Sequence, residues 1–218
     1  MSSLLDRPTT AWTATDLARR FGPMPLWRFC FDPPPGEAVE EDVDRLETHH
    51  QLLYELVDGV LVRKTMSSYE SLLAMRVATL LNLFILPRAL GWVLGPDGML
   101  RLWPGRVRIP DVSFISREQT PDGRFPQDQR IADLHPDLAV EILSDANTDE
   151  EMSEKRSDYF QSGTRLVWVI DPKTRSAEIF TSPDLKQTIE PDGVLTGEPV
   201  LPGLTIPLAK VFDIDAAL

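Results

Sequence analysis

The stretch from Asp137 to Asp171 constrains this chain more than any other. It opens with the apolar run Asp137–Leu143, passes through a polar loop and a helical segment ending near Gly163, and closes with a second apolar run, Thr164–Asp171. That pattern predicts a strand, a crossover helix and a strand, which in one sheet means parallel strands joined right-handedly. Glu141 lies inside the first run. A charge in a buried strand costs on the order of several kcal/mol unless it is paired or metal-bound. Glu141 therefore needs a partner.

Alternation places Ala139, Glu141 and Leu143 on one face of that strand. Thr148-Asp-Glu-Glu151 fits a capping box at the start of the helix, and Gly163 is placed to end it. Met152, Tyr159 and Phe160 define its apolar side, with Lys155 and Arg156 bracketing that side by helical spacing. Basic residues facing a sheet either snorkel outwards on packed stems or meet an acid.

A second strand carboxylate precedes this unit. In the run Arg106–Ser116, alternation sets Ile109, Asp111, Ser113 and Ile115 on one face. Pro110 lacks a ladder donor and marks an edge, a bulge or a strand's start. Asp111 and Glu141 can then point into one pocket if their strands are neighbours.

Upstream, Asp58-Gly59 between apolar runs predicts a hairpin. Tyr69–Leu86 predicts a helix apolar around most of its circumference, ended by Pro87, with Glu70 in its first turn. An acid is stabilised there by the helix N-terminus. The helix's most apolar part, Leu72–Leu86, is read as a core helix, too short to span a bilayer and interrupted by Arg76 and Asn82, so no membrane is expected. Trp92–Leu94 and Met99–Trp103, flanking Gly95–Gly98, read as a second hairpin. Arg117–Asp133 is a long loop, and loops of that length are usually functional or mobile. Lys173–Arg175 predicts a turn into another hairpin strand, and Leu201–Leu208 a closing extended segment. Residues 1–50 form an accessory arm. It carries a short amphipathic piece at Thr15–Phe21, an extended Pro25–Gly36 and an acidic helix at Val39–Thr48.

Composition limits the function classes. The 218 residues can bury a full core. The net charge of −12 leaves room only for a local basic patch towards nucleic acid. The single Cys30 excludes an intramolecular disulfide, and the first ten residues lack a signal peptide's regions, so a cytoplasmic location is expected. Cys/His zinc spacing is absent.

Two carboxylates held close repel unless a proton or a cation sits between them. Mg²⁺ takes oxygen ligands, typically one or two carboxylates with water and phosphate. A lysine nearby could deprotonate an attacking water or neutralise transition-state charge. That equipment suits phosphodiester hydrolysis. The spacing equally admits a structural acid pair capped by Lys155 or Arg156.

Several motifs together resemble a known family. They are Ile109-Pro-Asp-Val112, Pro136–Ser144 (PDLAVEILS), Glu154-Lys-Arg156 and Val167–Pro172 (VWVIDP). Tyr54–Gly59 (YELVDG), Thr65–Ala74 (TMSSYESLLA) and Leu201–Leu208 (LPGLTIPL) fit as well. The chain is similar to the putative restriction endonuclease family, expanded in cyanobacteria and planctomycetes, within the PD-(D/E)XK nuclease superfamily. The likeness spans residues 51–218, and the arm looks like the extension of one family branch. The resemblance implies an α/β fold, a restriction-endonuclease-like mixed sheet flanked by helices with an αβββαβ core and extra β-hairpins. It implies a DNA endonuclease dependent on Mg²⁺, with Mn²⁺ as an alternative. Asp111, Glu141 and the Ile142 carbonyl would be metal ligands, and Lys155 and the auxiliary acid Glu70 would join the acids in catalysis. The superfamily lysine, normally two residues after the glutamate, is Leu143 here, and in this family it is thought to have moved to the helix, where Lys155 lies. Val60 stands where relatives often carry glutamate after the DG pair. Glu55 matches the family motif without an assigned role. Cutting both strands of a duplex suits a homodimer. The alternatives are a non-catalytic interaction module on the same fold and a nuclease acting on another phosphate ester.

Overall fold

A computed structural model describes residues 11–120 and 122–215. The first ten residues of the expected arm, Pro121 and residues 216–218 lie outside it. The Asp137–Asp171 unit forms as its sequence requires. Leu138–Ile142 and Leu166–Asp171 are neighbouring parallel strands, with Leu138 opposite Leu166 and Ile142 opposite Ile170. Asp149–Ser162 is the helix between them, and Gly163 closes it with φ 112°. The Thr148 hydroxyl accepts from the Glu151 amide at 3.1 Å. Only this half of the expected capping box is present. The Glu151 carboxylate is drawn away to Arg28, 2.8 Å distant and equally buried.

In chain order the elements are α1 (Ala14–Phe21), α2 (Glu40–His50), β1 (Tyr54–Val57), β2 (Val60–Arg63), α3 (Ser68–Ile85), β3 (Gly91–Leu94), β4 (Leu100–Trp103), β5 (Arg106–Arg108) and β6 (Val112–Ser116). They continue with β7 (Leu138–Ile142), α4 (Asp149–Ser162), β8 (Leu166–Asp171), β9 (Ser176–Phe180), β10 (Lys186–Ile189), β11 (Val194–Thr196), β12 (Thr205–Pro207) and α5 (Leu208–Phe212). A six-stranded sheet has the order β10-β9-β8-β7-β6-β3, a four-stranded sheet the order β2-β1-β5-β4, and β11 pairs with β12. Among the described strands only β7 and β8 pair in parallel.

Two expectations about strands change. Trp92–Leu94 and Met99–Trp103 do not pair as a hairpin. β3 pairs with β6 and β4 with β5, in different sheets. The Gly95–Gly98 turn, closed by Gly98 N to Gly95 O at 3.1 Å, carries the chain from one sheet to the other. The run Arg106–Ser116 is likewise split. β5 ends before Pro110 and β6 starts after Asp111, so the missing Pro110 donor falls where the chain leaves the first sheet. Asp111 keeps a ladder bond, its amide donating to Val140 O at 3.1 Å.

One face of the large sheet (Val112, Phe114, Val140, Ile142, Trp168, Ile170) packs on Leu73, Val77 and Leu81 of α3 and on α5. With its continuation to Arg88, α3 is long and apolar enough by composition alone to cross a membrane, so length does not exclude it as the sequence reading held. Its inner residues are instead part of this core. The opposite face of the sheet carries Ala139, Val167 and Val169 against Met152 and Tyr159 of α4. By alternation Glu141 shares that face, beneath α4.

The arm is built into the smaller sheet. Leu17, Phe21 and Phe29 pack on Val57, Val60 and Val62, and Val43 and Leu46 of α2 pack on Leu56, Leu61 and Val107. Pro25–Gly36 contains a 3₁₀ turn at Leu26–Arg28 within its extended course. Leu17 is fully buried, and truncating a residue in such a setting costs about 2–5 kcal/mol. Leu17→Ala is expected to lower the urea midpoint of the whole chain, with far-UV circular dichroism and tryptophan fluorescence still coinciding. Non-coincident transitions would mean that the arm unfolds by itself.

Candidate active site

Glu141 finds its partner on α4. Lys155 Nζ lies 3.3 and 3.2 Å from the two Glu141 oxygens and 3.1 Å from Glu55 Oε1. All three residues are buried. The Tyr159 hydroxyl, one helical turn on, donates to Glu141 Oε1 at 2.5 Å. Lys155 and Tyr159 reach the same carboxylate because residues four apart share a helix face. Arg156 takes the other side, donating to Pro183 O at 2.8 Å and lying over the Phe180 ring.

Asp111 stands on the neighbouring strand start. Its Oδ2 accepts from the Ile142 amide at 2.7 Å, and its Oδ1 lies 2.8 Å from Lys64 Nζ. Lys64 also donates to Ile109 O. Glu55, on β1, accepts from Arg108 NH1 at 2.8 Å and from the Ile109 amide at 3.1 Å. Arg108 is held from behind by Asp158, with Nε and NH2 at 2.8 and 2.5 Å. Arg28, from the arm, meets Glu151 and donates to Arg63 O and Ala146 O.

These groups enclose a recess of about 10 Å³, room for about one water-sized species. Asp111, Glu141, Ile142 and Lys155 all line it, together with Glu55, Lys64 and Arg28. Glu70 is absent from the lining. Its carboxylate accepts from the Ser67 amide at 2.7 Å, and the Ser67 hydroxyl accepts from the Glu70 amide at 3.3 Å. The structure thus places the expected auxiliary acid in a capping box for α3.

Burial and the neighbouring carboxylates Asp111 and Glu55 push the Glu141 carboxyl up, against the pull of Lys155 and Lys64. Burial alone would also raise Glu55, but Lys155, Arg108, Lys64 and the Ile109 amide outweigh it and hold Glu55 at about 2. For Lys155, burial favours the neutral amine, yet Glu141, Glu55, Glu151 and Asp111 together hold it above the ordinary lysine value. Lys155 is therefore an ammonium here. The charged form suits an electrostatic role.

A hard divalent ion would suit these donors. Asp111 and Glu141 offer carboxylate oxygens, and Mg²⁺ needs only one or two from the protein. Among the described residues no group of three or more His, Cys, Asp or Glu side chains is arranged to hold a metal. Water, the Ile142 carbonyl or a phosphate oxygen would have to complete the shell.

Four participants were given no role in the site by the sequence reading. Glu55 sits in an apolar strand as Glu141 does, and the same burial argument applied to Tyr54–Val57 could have placed it in the site. Tyr159 reads as a core aromatic, although a buried hydroxyl needs a partner. Lys64 and Arg28 carry no such signal, since both stand beside polar or extended sequence.

The two buried glutamates have opposite linkage signs. The lowered Glu55 adds stability in full above its unfolded value and loses it as pH falls from there through about 2. The raised Glu141 loses its contribution as pH rises from the ordinary value through the raised one. In urea denaturation, the stability gap between the wild type and Glu55→Gln is expected to narrow as pH falls from about 5 to about 2. A constant gap would show that the fold does not hold Glu55 below its unfolded value.

No curated protein matches the chain. It is similar to the crystal structure of a putative nuclease belonging to DUF820 from Anabaena variabilis ATCC 29413. The TM-score is 0.65 at 17% identity, covering 74% of this chain and 90% of that one. At that identity the likeness is one of fold. The Uma2 family model, described as putative restriction endonuclease, matches residues 40–209. That span takes in α2, which the sequence reading had left in the arm. The chain belongs to the Uma2 family of putative restriction endonucleases.

Proposed function

We propose that the chain is a Mg²⁺-dependent DNA endonuclease, with Mn²⁺ as an alternative ion. The observation that carries this reading is the convergence of Asp111, Glu141 and Lys155 on one recess. The fold supports it. The elements α3, β3, β6, β7, α4 and β8 follow each other around the large sheet, the αβββαβ order of a restriction-endonuclease-like core, with β4 and β5 inserted as part of the second sheet.

In this reading Asp111 and Glu141 hold the ion, with the Ile142 carbonyl as a third ligand. A bound Mg²⁺ supplies Lewis-acid polarisation of the phosphoryl oxygen and a bound water of lowered pKa. The Ile142 amide fixes one Asp111 oxygen, and the Tyr159 hydroxyl fixes one Glu141 oxygen. Lys155, charged and held by two carboxylates, offsets the negative charge that grows on the phosphate. Glu55 orients that ammonium and takes no part in the ion's shell. The recess admits no nucleotide, so the phosphate approaches from its mouth.

DNA is proposed as the substrate, a cytoplasmic location follows the free Cys30, and a twofold homodimer suits duplex cleavage. The exposed stripe of Tyr69, Leu72, Met75 and Leu83 on α3 supports a partner there. A non-catalytic interaction module has one observation of its own. Lys64 and Lys155 already pair with the three carboxylates of the recess lining.

Nicking of supercoiled plasmid with Mg²⁺ or Mn²⁺ separates the two. The wild type is expected to nick, and Asp111→Ala to lose activity. Lys155→Ala is expected to lower turnover by roughly 10²-fold or more while divalent-ion binding survives. No nicking by the folded wild type with either ion, on any DNA form, would favour the non-catalytic module.

A further inference from the structure

Resting on the metal-site reading above, we propose that Lys64 is the exchangeable cation of the recess. Its ammonium holds Asp111 until a divalent ion takes its place.

The argument is one of elimination among the three cations. Arg28 is fixed by Glu151 and two backbone carbonyls. Lys155 is fixed between Glu55 and Glu141. Lys64 makes one ion pair, to Asp111 Oδ1, and one bond to the Ile109 carbonyl. It follows the last residue of β2, its amide still donating to Leu53 O at 2.9 Å. The oxygen it engages is the decisive one. Asp111 Oδ2 also accepts from the Ile142 amide, so Oδ1, held by Lys64, is the oxygen that the lysine's departure frees.

Charge points the same way. Arg28 is matched by Glu151, so Lys64 and Lys155 face the three carboxylates of the lining, and a divalent ion arriving without a departure turns the balance of that small space positive. Like charges confined together at low dielectric repel strongly. Withdrawal of Lys64 vacates the oxygen and removes one of those charges in a single movement. The long, flexible lysine stem suits that movement, and a compact ammonium is readily rehydrated at the mouth.

The test measures metal binding and lysine exposure, apart from nicking. Mn²⁺ affinity is measured by electron paramagnetic resonance for the wild type, Lys64→Met, Lys64→Gln and Asp111→Asn. Both Lys64 variants are expected to bind at least about ten-fold tighter, and Asp111→Asn to lose binding. Two substitutions guard against one that fails to fold, and each is checked by its thermal melt. In the wild type, acetylation of Lys64, followed by mass spectrometry, is expected to speed up several-fold when Mg²⁺ is added. Unchanged or weaker binding by the Lys64 variants overturns the exchange and leaves the metal site standing if Asp111→Asn still loses binding. Tighter binding with unchanged acetylation also overturns it, since a fixed nearby charge gives that result. Absence of Mn²⁺ binding in the wild type and both Lys64 variants removes the metal-site reading and this inference with it.

Discussion

The position of Lys155 governs the interior of this protein. Its ammonium lies between Glu55 of β1 and Glu141 of β7, and its own backbone is on α4. One buried charge thus joins the two larger sheets and the crossover helix. Around it the pairing spreads outwards, from Glu55 to Arg108 and from Arg108 to Asp158. Arg106, Asp58, Glu154 and Arg20 continue the network to the arm. Deleting a single member would leave its partners charged and unpaired in a low-dielectric interior, which is costly in a way that replacing a whole pair is not. The apolar clusters settle which faces meet. The ionic layer pairs charges across those faces.

That layer also explains how an acidic chain can contain an electrostatically balanced site. The net charge of −12 belongs to the molecule as a whole, whereas the recess is lined by equal numbers of cations and carboxylates. Long-range attraction for a polyanion would be weak, and contact would have to rely on local groups. The pairing also fixes proton states. Around Lys155 four carboxylates outweigh desolvation and favour its charged form.

The sequence was legible where periodicity and covalent constraint act locally. The parallel β7–β8 pair, the Asp58-Gly59 hairpin, α3 and the Gly163 stop all follow from spacing and turn chemistry. Strand alternation sets Asp111 and Glu141 on faces that can converge, whereas helical spacing leaves Lys155 and Arg156 equivalent and only the family resemblance selects Lys155. Illegible parts depended on choices between partners far apart in sequence. Gly95–Gly98 reads as a hairpin turn whether its flanks pair with each other or with two different sheets. Glu70 and Glu151 are both acids three residues beyond a hydroxyl cap. The first closes its capping box because Ser67 is its available partner. The second does not, since Arg28, 123 residues earlier, offers a stronger one. Lys64 looks like a solvated strand end until the fold brings β2 beside the Asp111 corner.

The ionic layer alone does not account for its own composition. A cluster that served only to join elements would gain by spacing its acids apart, each with its own cation, as Arg28 and Glu151 are. Here Asp111, Glu141 and Glu55 are near enough that two of them raise the proton affinity of the third. Lys155 must divide itself between two of them. Folding pressure favours removal of such like-charge proximity, because an apolar replacement of similar volume is often neutral or stabilising. Two acids, fixed by the Ile142 amide and the Tyr159 hydroxyl around a space for one small species, are a costly way to hold two strands together. In the proposed reading their use is to hold a divalent cation.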